Sequence, residues 1–169
     1  VEESNTTDPL VLAVEQVWDA GIVVVVAAGN FGRDGHMTIT SPGNSRKVIT
    51  VGSLTDKETG DTFADDFVST YSSVGPTLID HVLKPDLVAP GNRLVAAMPK
   101  NGKLNKDLPD RNPNCGAGCS EEYLELSGTS MAAAMVSGAA ALMLTEDPSL
   151  SPSTIKARLM RSARKIDAD

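Results

Sequence analysis

Residues 22–26 read Ile-Val-Val-Val-Val. A continuous β-branched run of this length forms a strand, and a strand without polar alternation expects apolar cover on both faces. That condition points to a parallel sheet lying between helices rather than to an antiparallel sheet with one wet face. The preceding residues agree. Asp8-Pro9 provides a side-chain cap followed by proline at the first helical position. Leu10, Val11, Val14, Val17 and Trp18 recur at helical spacing, with Glu15, Gln16 and Asp19 off that face. Gly21 supplies the stop. A helix turning tightly into a doubly buried strand is an α/β signature.

The remaining chain extends this pattern. Residues 47–53, Lys-Val-Ile-Thr-Val-Gly-Ser, read as a second strand, separated from the first by a loop over 31–46 marked by Gly, Ser and Pro. Residues 55–66 are polar and acidic and read as an exposed excursion, and 71–76 end in a Gly-Pro turn. A short strand over 86–91 closes on Pro90-Gly91, and a long surface loop is predicted over 99–120. A helix is predicted from Thr129 to about Glu146, ahead of Pro148. Its Ala, Gly and Ser on most faces suit a helix inside the domain. Ser151-Pro152 starts a last helix, with Ile155, Leu159 and Ala163 on one face and Lys156, Arg158 and Arg161 off it. No repeat or interdomain linker interrupts the chain, so its 169 residues make one unit. With 41% hydrophobic but only 4% aromatic residues, the core is expected to consist of small, closely packed side chains.

Composition excludes some functions. A net charge of −7 argues against a nucleic-acid partner, which needs clustered Lys and Arg. No apolar run reaches the ~20 residues that span a bilayer, so no membrane partner is expected. The first residues, Val-Glu-Glu-Ser-Asn-Thr-Thr-Asp, are not a signal peptide, and the sequence assigns no compartment. Cys115 and Cys119 form a small disulfide loop or stay as free thiols; two thiols are too few for a structural zinc site.

The chemistry lies in two short segments. Residues 126–138 read Leu-Ser-Gly-Thr-Ser-Met-Ala-Ala-Ala-Met-Val-Ser-Gly, which places Ser130 at a helix N-terminus. There its own N–H is one of the unpaired donors of the first turn, and the helix dipole favours negative charge. Capping by Thr129 or Ser130 is the plainer explanation of such a serine. Far upstream, Ala27-Ala28-Gly29-Asn30 follows the first strand. Asn30 offers a neutral amide donor beyond a strand's C-terminal end, where α/β folds place their sites, although a Gly-Asn pair also serves as a turn.

Together these segments resemble those of the subtilisin-like serine peptidases, and the resemblance covers nearly the whole chain. Ile39-Thr40-Ser41-Pro42-Gly43, Val48-Ile49-Thr50-Val51-Gly52, Tyr71-Ser72-Ser73-Val74-Gly75-Pro76 (Phe-Ser-Ser-x-Gly-Pro in relatives) and Lys84-Pro85-Asp86-Leu87-Val88-Ala89-Pro90-Gly91 all look like family stretches. The resemblance implies a parallel-sheet, three-layer α/β fold, of which residues 1–169 are the C-terminal portion of a single catalytic domain. It implies that Ser130 is the nucleophile of a Ser-His-Asp endopeptidase and Asn30 an oxyanion donor. Ala27, Ala28 and Gly29, with Thr129, would line the substrate cleft, and the substrate would be a polypeptide.

The departures from the family pattern carry expectations of their own. No Asp-Ser/Thr-Gly or His-Gly-Thr-His segment is present, and neither histidine, His36 nor His81, matches the family's base. The chain alone is therefore expected to be inactive, to depend on the missing N-terminal half of the domain and to self-associate. A pseudo-enzyme or peptide-binding module on the same fold is the alternative reading. An esterase of the nucleophile-elbow type is disfavoured, because Ala132 stands where that motif has glycine. Ala134 replaces the family's proline four residues after the serine. The chemistry needs no cofactor. Relatives often carry a structural calcium, and Asp86, with carbonyls near Gly43 and Val48, matches a cation position in some of them.

Overall fold

The computed structural model describes residues 3–57, 59, 62–99, 102–108, 111 and 122–166. Helix α1 is Pro9–Asp19, capped by Asp8, whose side chain accepts from the N–H groups of Leu10 and Val11. At the other end, the N–H groups of Gly21 and Ile22 donate to the carbonyls of Trp18 and Val17. This closure needs a left-handed residue, and Gly21 adopts φ +90°. The chain then enters strand β1, Val25–Ala27.

Strand β2, Ile49–Thr55, pairs in parallel with β1, with Val25 opposite Ile49. The short strand β3, Phe67–Val68, pairs antiparallel with the end of β2, and β4, Leu87–Pro90, pairs with β2 in parallel. Val51 is shared by β1 and β4, so those two lie on opposite edges of β2. Leu54 is likewise shared by β3 and β4, which puts β3 on the β1 side. The sheet is thus mixed, parallel through β1, β2 and β4. The loop read over 99–120 is flanked by a pair the sequence did not announce. Strands β5, Leu94–Ala97, and β6, Tyr123–Leu126, pair antiparallel, and helix α2, Lys103–Asp107, lies between them. Each strand is four residues long, and no tight-turn signature joins them. Cys115 and Cys119 lie outside the described residues.

Helix α3, Thr129–Glu146, packs across β1, β2 and β4. Its buried stripe is Thr129, Ala132, Val136 and Ala140, and the small side chains let it approach the sheet closely. Ile49, Val51 and Ala89 meet it from the sheet, with Trp18 of α1 and Ile155 completing the core. Ile155 belongs to helix α4, Pro152–Ser162, which Ser151 caps by accepting from the Thr154 N–H.

Burial is more one-sided than the sequence suggests. The β-branched run is half-buried or exposed, with Ile22 57% exposed, and the strand starts only at Val25. The reason is local: among the described residues β1 is paired along one edge only. Helix α3 likewise buries one stripe rather than most faces, and Leu142 is 73% exposed. Leu10, Leu12 and Val17 of α1 are exposed too.

Below the sheet, at the start of β2, lies a buried charge cluster. The Lys84 ammonium donates to Asp86 Oδ2 (2.7 Å) and the Val48 carbonyl (3.2 Å). Asp86 Oδ2 also accepts from the Thr50 N–H (2.8 Å). Burial pushes Lys84 down to about 8, against the pull of Asp86 beside it. Lys156 of α4, read from its spacing as lying off the apolar face, reaches into the same cluster and forms an ion pair with Asp86 Oδ1 (3.1 Å). Its long stem lets a residue at the edge of the buried stripe place its charge inward.

Candidate active site

Strands β1 and β4 flank β2 on either side, and the residues just past their parallel ends converge on the head of α3. Beyond β1, the Ala28 N–H continues the ladder by donating to the Val51 carbonyl (2.9 Å). Gly29 follows at φ +109°, and a Cβ there would lie 2.7 Å from Ser73 Oγ and 3.0 Å from Thr40 Oγ1. Only glycine fits that approach. Beyond β4, the Gly91 carbonyl accepts from the Gly128 N–H (2.8 Å) and from the Tyr71 hydroxyl (3.0 Å). A Cβ on Gly91 would stand 2.5 Å from Ser53 Oγ and 2.8 Å from the Gly128 carbonyl oxygen. These contacts dock the first turn of α3 against the end of the sheet.

Thr129 joins the two segments. Its N–H and its hydroxyl both donate to Asn30 Oδ1, at 3.0 and 3.1 Å. The same hydroxyl accepts from the Gly29 N–H (3.3 Å). Both bonds fall on the acceptor oxygen of Asn30, which assigns the amide orientation and turns Nδ2 away from Thr129. Ser73 holds the flanks of Asn30: its N–H donates to the Gly29 carbonyl (2.9 Å), and its hydroxyl accepts from the Phe31 N–H (3.1 Å).

Ser130 comes next, and it is exposed. Among the described residues, neither its hydroxyl nor its N–H has a hydrogen-bond partner, and neither does Asn30 Nδ2. The helix therefore begins with a free hydroxyl and a free N–H, at the end where the dipole favours negative charge. The cap reading does not describe Ser130. Thr129 is the residue engaged, and it binds the Asn30 side chain rather than its own helix.

The other sequence candidates are placed as follows. Ala28 is fully buried, while Ala27 and Gly29 are half-buried beside Asn30. Thr129 is fully buried and reaches Asn30 rather than open surface. Ala134 lies on the exposed side of an uninterrupted α3. His36 is exposed, with Nδ1 3.4 Å from the Gly75 carbonyl, and His81 is exposed in the turn after Thr77. Neither bonds to Ser130 among the described residues.

The sequence matches the family model of the subtilases over residues 2–169. The chain belongs to the subtilase family. It is 44% identical over 158 residues to the serine protease AprX of Bacillus subtilis, covering 94% of this chain and 34% of that protein. It is 34% identical over 155 residues to subtilisin DY of Bacillus licheniformis, covering 91% of this chain and 44% of the relative. Among solved structures, a cold adapted subtilisin-like serine proteinase superposes with a TM-score of 0.61 at 27% identity, over 90% of this chain and 42% of the other. The subtilase chain thus spans about a third of AprX and less than half of subtilisin DY.

Sequence reading of this subtilase chain singled out Ser130, Asn30 and their neighbours. It missed the residues that hold them: Ser73, Tyr71 and Gly91. The stretches containing all three were recognisable as family segments, yet nothing in periodicity or spacing gave them a task. Their role follows from partners far along the chain, such as Gly91 to Gly128 and Ser73 to Gly29.

Proposed function

We propose that this chain carries the nucleophile and the oxyanion donors of a serine endopeptidase, whose parent protein hydrolyses peptide bonds with a Ser-His-Asp set. Ser130 Oγ attacks the peptide carbonyl as a histidine accepts its proton. The carbonyl oxygen, now negative, is held by the Ser130 N–H and by Asn30 Nδ2. The histidine then returns the proton to the leaving amine, and water repeats the sequence on the acyl-enzyme. The histidine and its orienting aspartate come from a part of the parent outside this chain. Ala27 and Gly29 border the polypeptide substrate beside Asn30.

The observation that supports this reading is the pairing at the head of α3. Ser130 is exposed and unbonded, next to an amide whose acceptor end is tied down by Thr129. A turn asparagine or a capping serine has no need of that arrangement.

Fluorophosphonate labelling, read by intact mass, tests the proposal. The isolated chain is expected to remain unlabelled. The parent is expected to take up one label, on Ser130, and to lose it in Ser130→Ala. A parent that folds and binds peptide without labelling would favour the pseudo-enzyme instead. Labelling of the isolated chain that vanishes in Ser130→Ala would show that a base acts within these residues, and the dependence on a missing part would be wrong.

A further inference from the structure

Calcium is the cation that the family resemblance leads one to expect beside Asp86. The oxygens that would hold it are already engaged. Asp86 Oδ2 accepts from Lys84 Nζ and from the Thr50 N–H. The Gly43 carbonyl accepts from the Thr50 hydroxyl (2.8 Å). The Val48 carbonyl faces both lysines, at 3.2 Å from Lys84 Nζ and 2.9 Å from Lys156 Nζ.

The Lys156 ammonium occupies the centre of what remains. It donates to the carbonyls of Arg46 (3.1 Å), Lys47 (3.1 Å) and Val48 (2.9 Å), and it stands 3.1 Å from Asp86 Oδ1. Successive carbonyls turned toward one point, opposite a carboxylate, form an oxygen cage of the kind that binds a hard cation. Here the cation is a side chain. The side chains of Lys156, Asp86 and Lys84 are 14%, 7% and 1% exposed, so the carboxylate side of the cage is buried while its Arg46 carbonyl lies at the exposed rim. A divalent ion added beside two ammonium groups would meet repulsion at short range in a poorly screened site. Among the described residues, moreover, no group of three or more His, Cys, Asp or Glu side chains gathers to hold a metal.

We propose that the Lys156 ammonium is the resident cation of this cage, so that the position beside Asp86 takes no calcium in this protein. Lysine carries its charge on a tether, which removes any dependence on ion concentration. It also staples α4 to the residues leading into β2. The inference makes no assumption about catalysis and stands or falls separately from the proposed peptidase activity.

The test is made in the full-length protein and reads thermal stability, not activity. Lys156→Met keeps the stem and removes the charge. The wild-type protein should melt at the same temperature in potassium chloride and in tetramethylammonium chloride of equal ionic strength, because its cage is filled. Lys156→Met should melt several degrees lower in tetramethylammonium chloride and regain most of the loss, saturably, in potassium chloride, since potassium is close in size to an ammonium group. A variant indifferent to potassium would overturn the proposal. So would a wild-type protein stabilised by calcium, with the gain abolished in Asp86→Asn. Should either variant fail to fold, nitrogen-15 resonances of the wild-type lysines decide. A Lys156 ammonium signal protected from exchange and unmoved by saturating calcium supports the proposal, and one displaced by calcium defeats it.

Discussion

Thr129 ties the head of α3 to residues 29–30: its N–H and hydroxyl donate to Asn30 Oδ1, and its hydroxyl oxygen also receives the Gly29 N–H. Thr129→Val preserves the shape and the N–H bond to Asn30 and deletes the two hydroxyl contacts. The Gly29 N–H then loses its partner in a half-buried setting, a change that costs about 1 kcal/mol. Urea denaturation should register that loss, and Thr129→Ser should recover most of it. A second residue-scale expectation concerns acid. The Ser4 hydroxyl and then the Asn5 N–H hold Asp80 below its ordinary value, with Arg46 and His81 adding attraction. A carboxylate lowered in the folded state stabilises above its unfolded pKa and loses that contribution as pH falls through the folded one. Melting temperatures followed from pH 6 downward, to about pH 2, should therefore fall more steeply in the wild type than in Asp80→Asn. At this scale the sequence was readable where a residue's task is set by its neighbours in the chain, as for the Asp8 cap and for Ser130 at a helix start. It was silent on Thr129 as a bridge, because the partner lies 99 residues away.

Between elements, the buried stripe of α3 decides how the sheet is covered. Ala132, Val136 and Ala140 repeat every fourth residue and face Ile49 and Val51, while Ile155 of α4 closes the end of the core. Ile155 is fully buried, so Ile155→Ala should cost about 2–5 kcal/mol. Leu142→Ala on the open side of α3 should change the stability of this chain by less than about 0.5 kcal/mol. The same pair of variants in the parent gives a useful contrast: a large cost for Leu142→Ala there would mean that this face is covered. Both are read from denaturation midpoints. Helices α1, α3 and α4 were legible because caps, proline and glycine mark their ends. The extent of β1 was not, since a β-branched run states what a strand wants to bury and not what is present to bury it. The β5–β6 pair left no trace either: each strand is short, and their pairing is decided by a register across a long intervening segment.

For the molecule as a whole, the paired edge of β1 and the buried stripes account for only part of its apolar surface. Leu10, Leu12, Val17, Ile22 and Leu142 remain exposed, and among the described residues β1 has an unpaired edge. Exposed apolar surface beside an unpaired strand favours association. Sedimentation velocity over a concentration series should show the isolated chain moving to larger species, and a compact monomer throughout would contradict this. The bridging by Thr129 has a consequence at this scale as well. The two donors proposed to hold the oxyanion sit on elements brought together by the fold, yet one buried hydroxyl and its N–H join them. Fraying at the head of α3 would therefore misplace Ser130 and release Asn30 in the same event. On heating, the site should switch off abruptly and reversibly, with a midpoint of its own below that of the sheet, rather than lose its parts one after another.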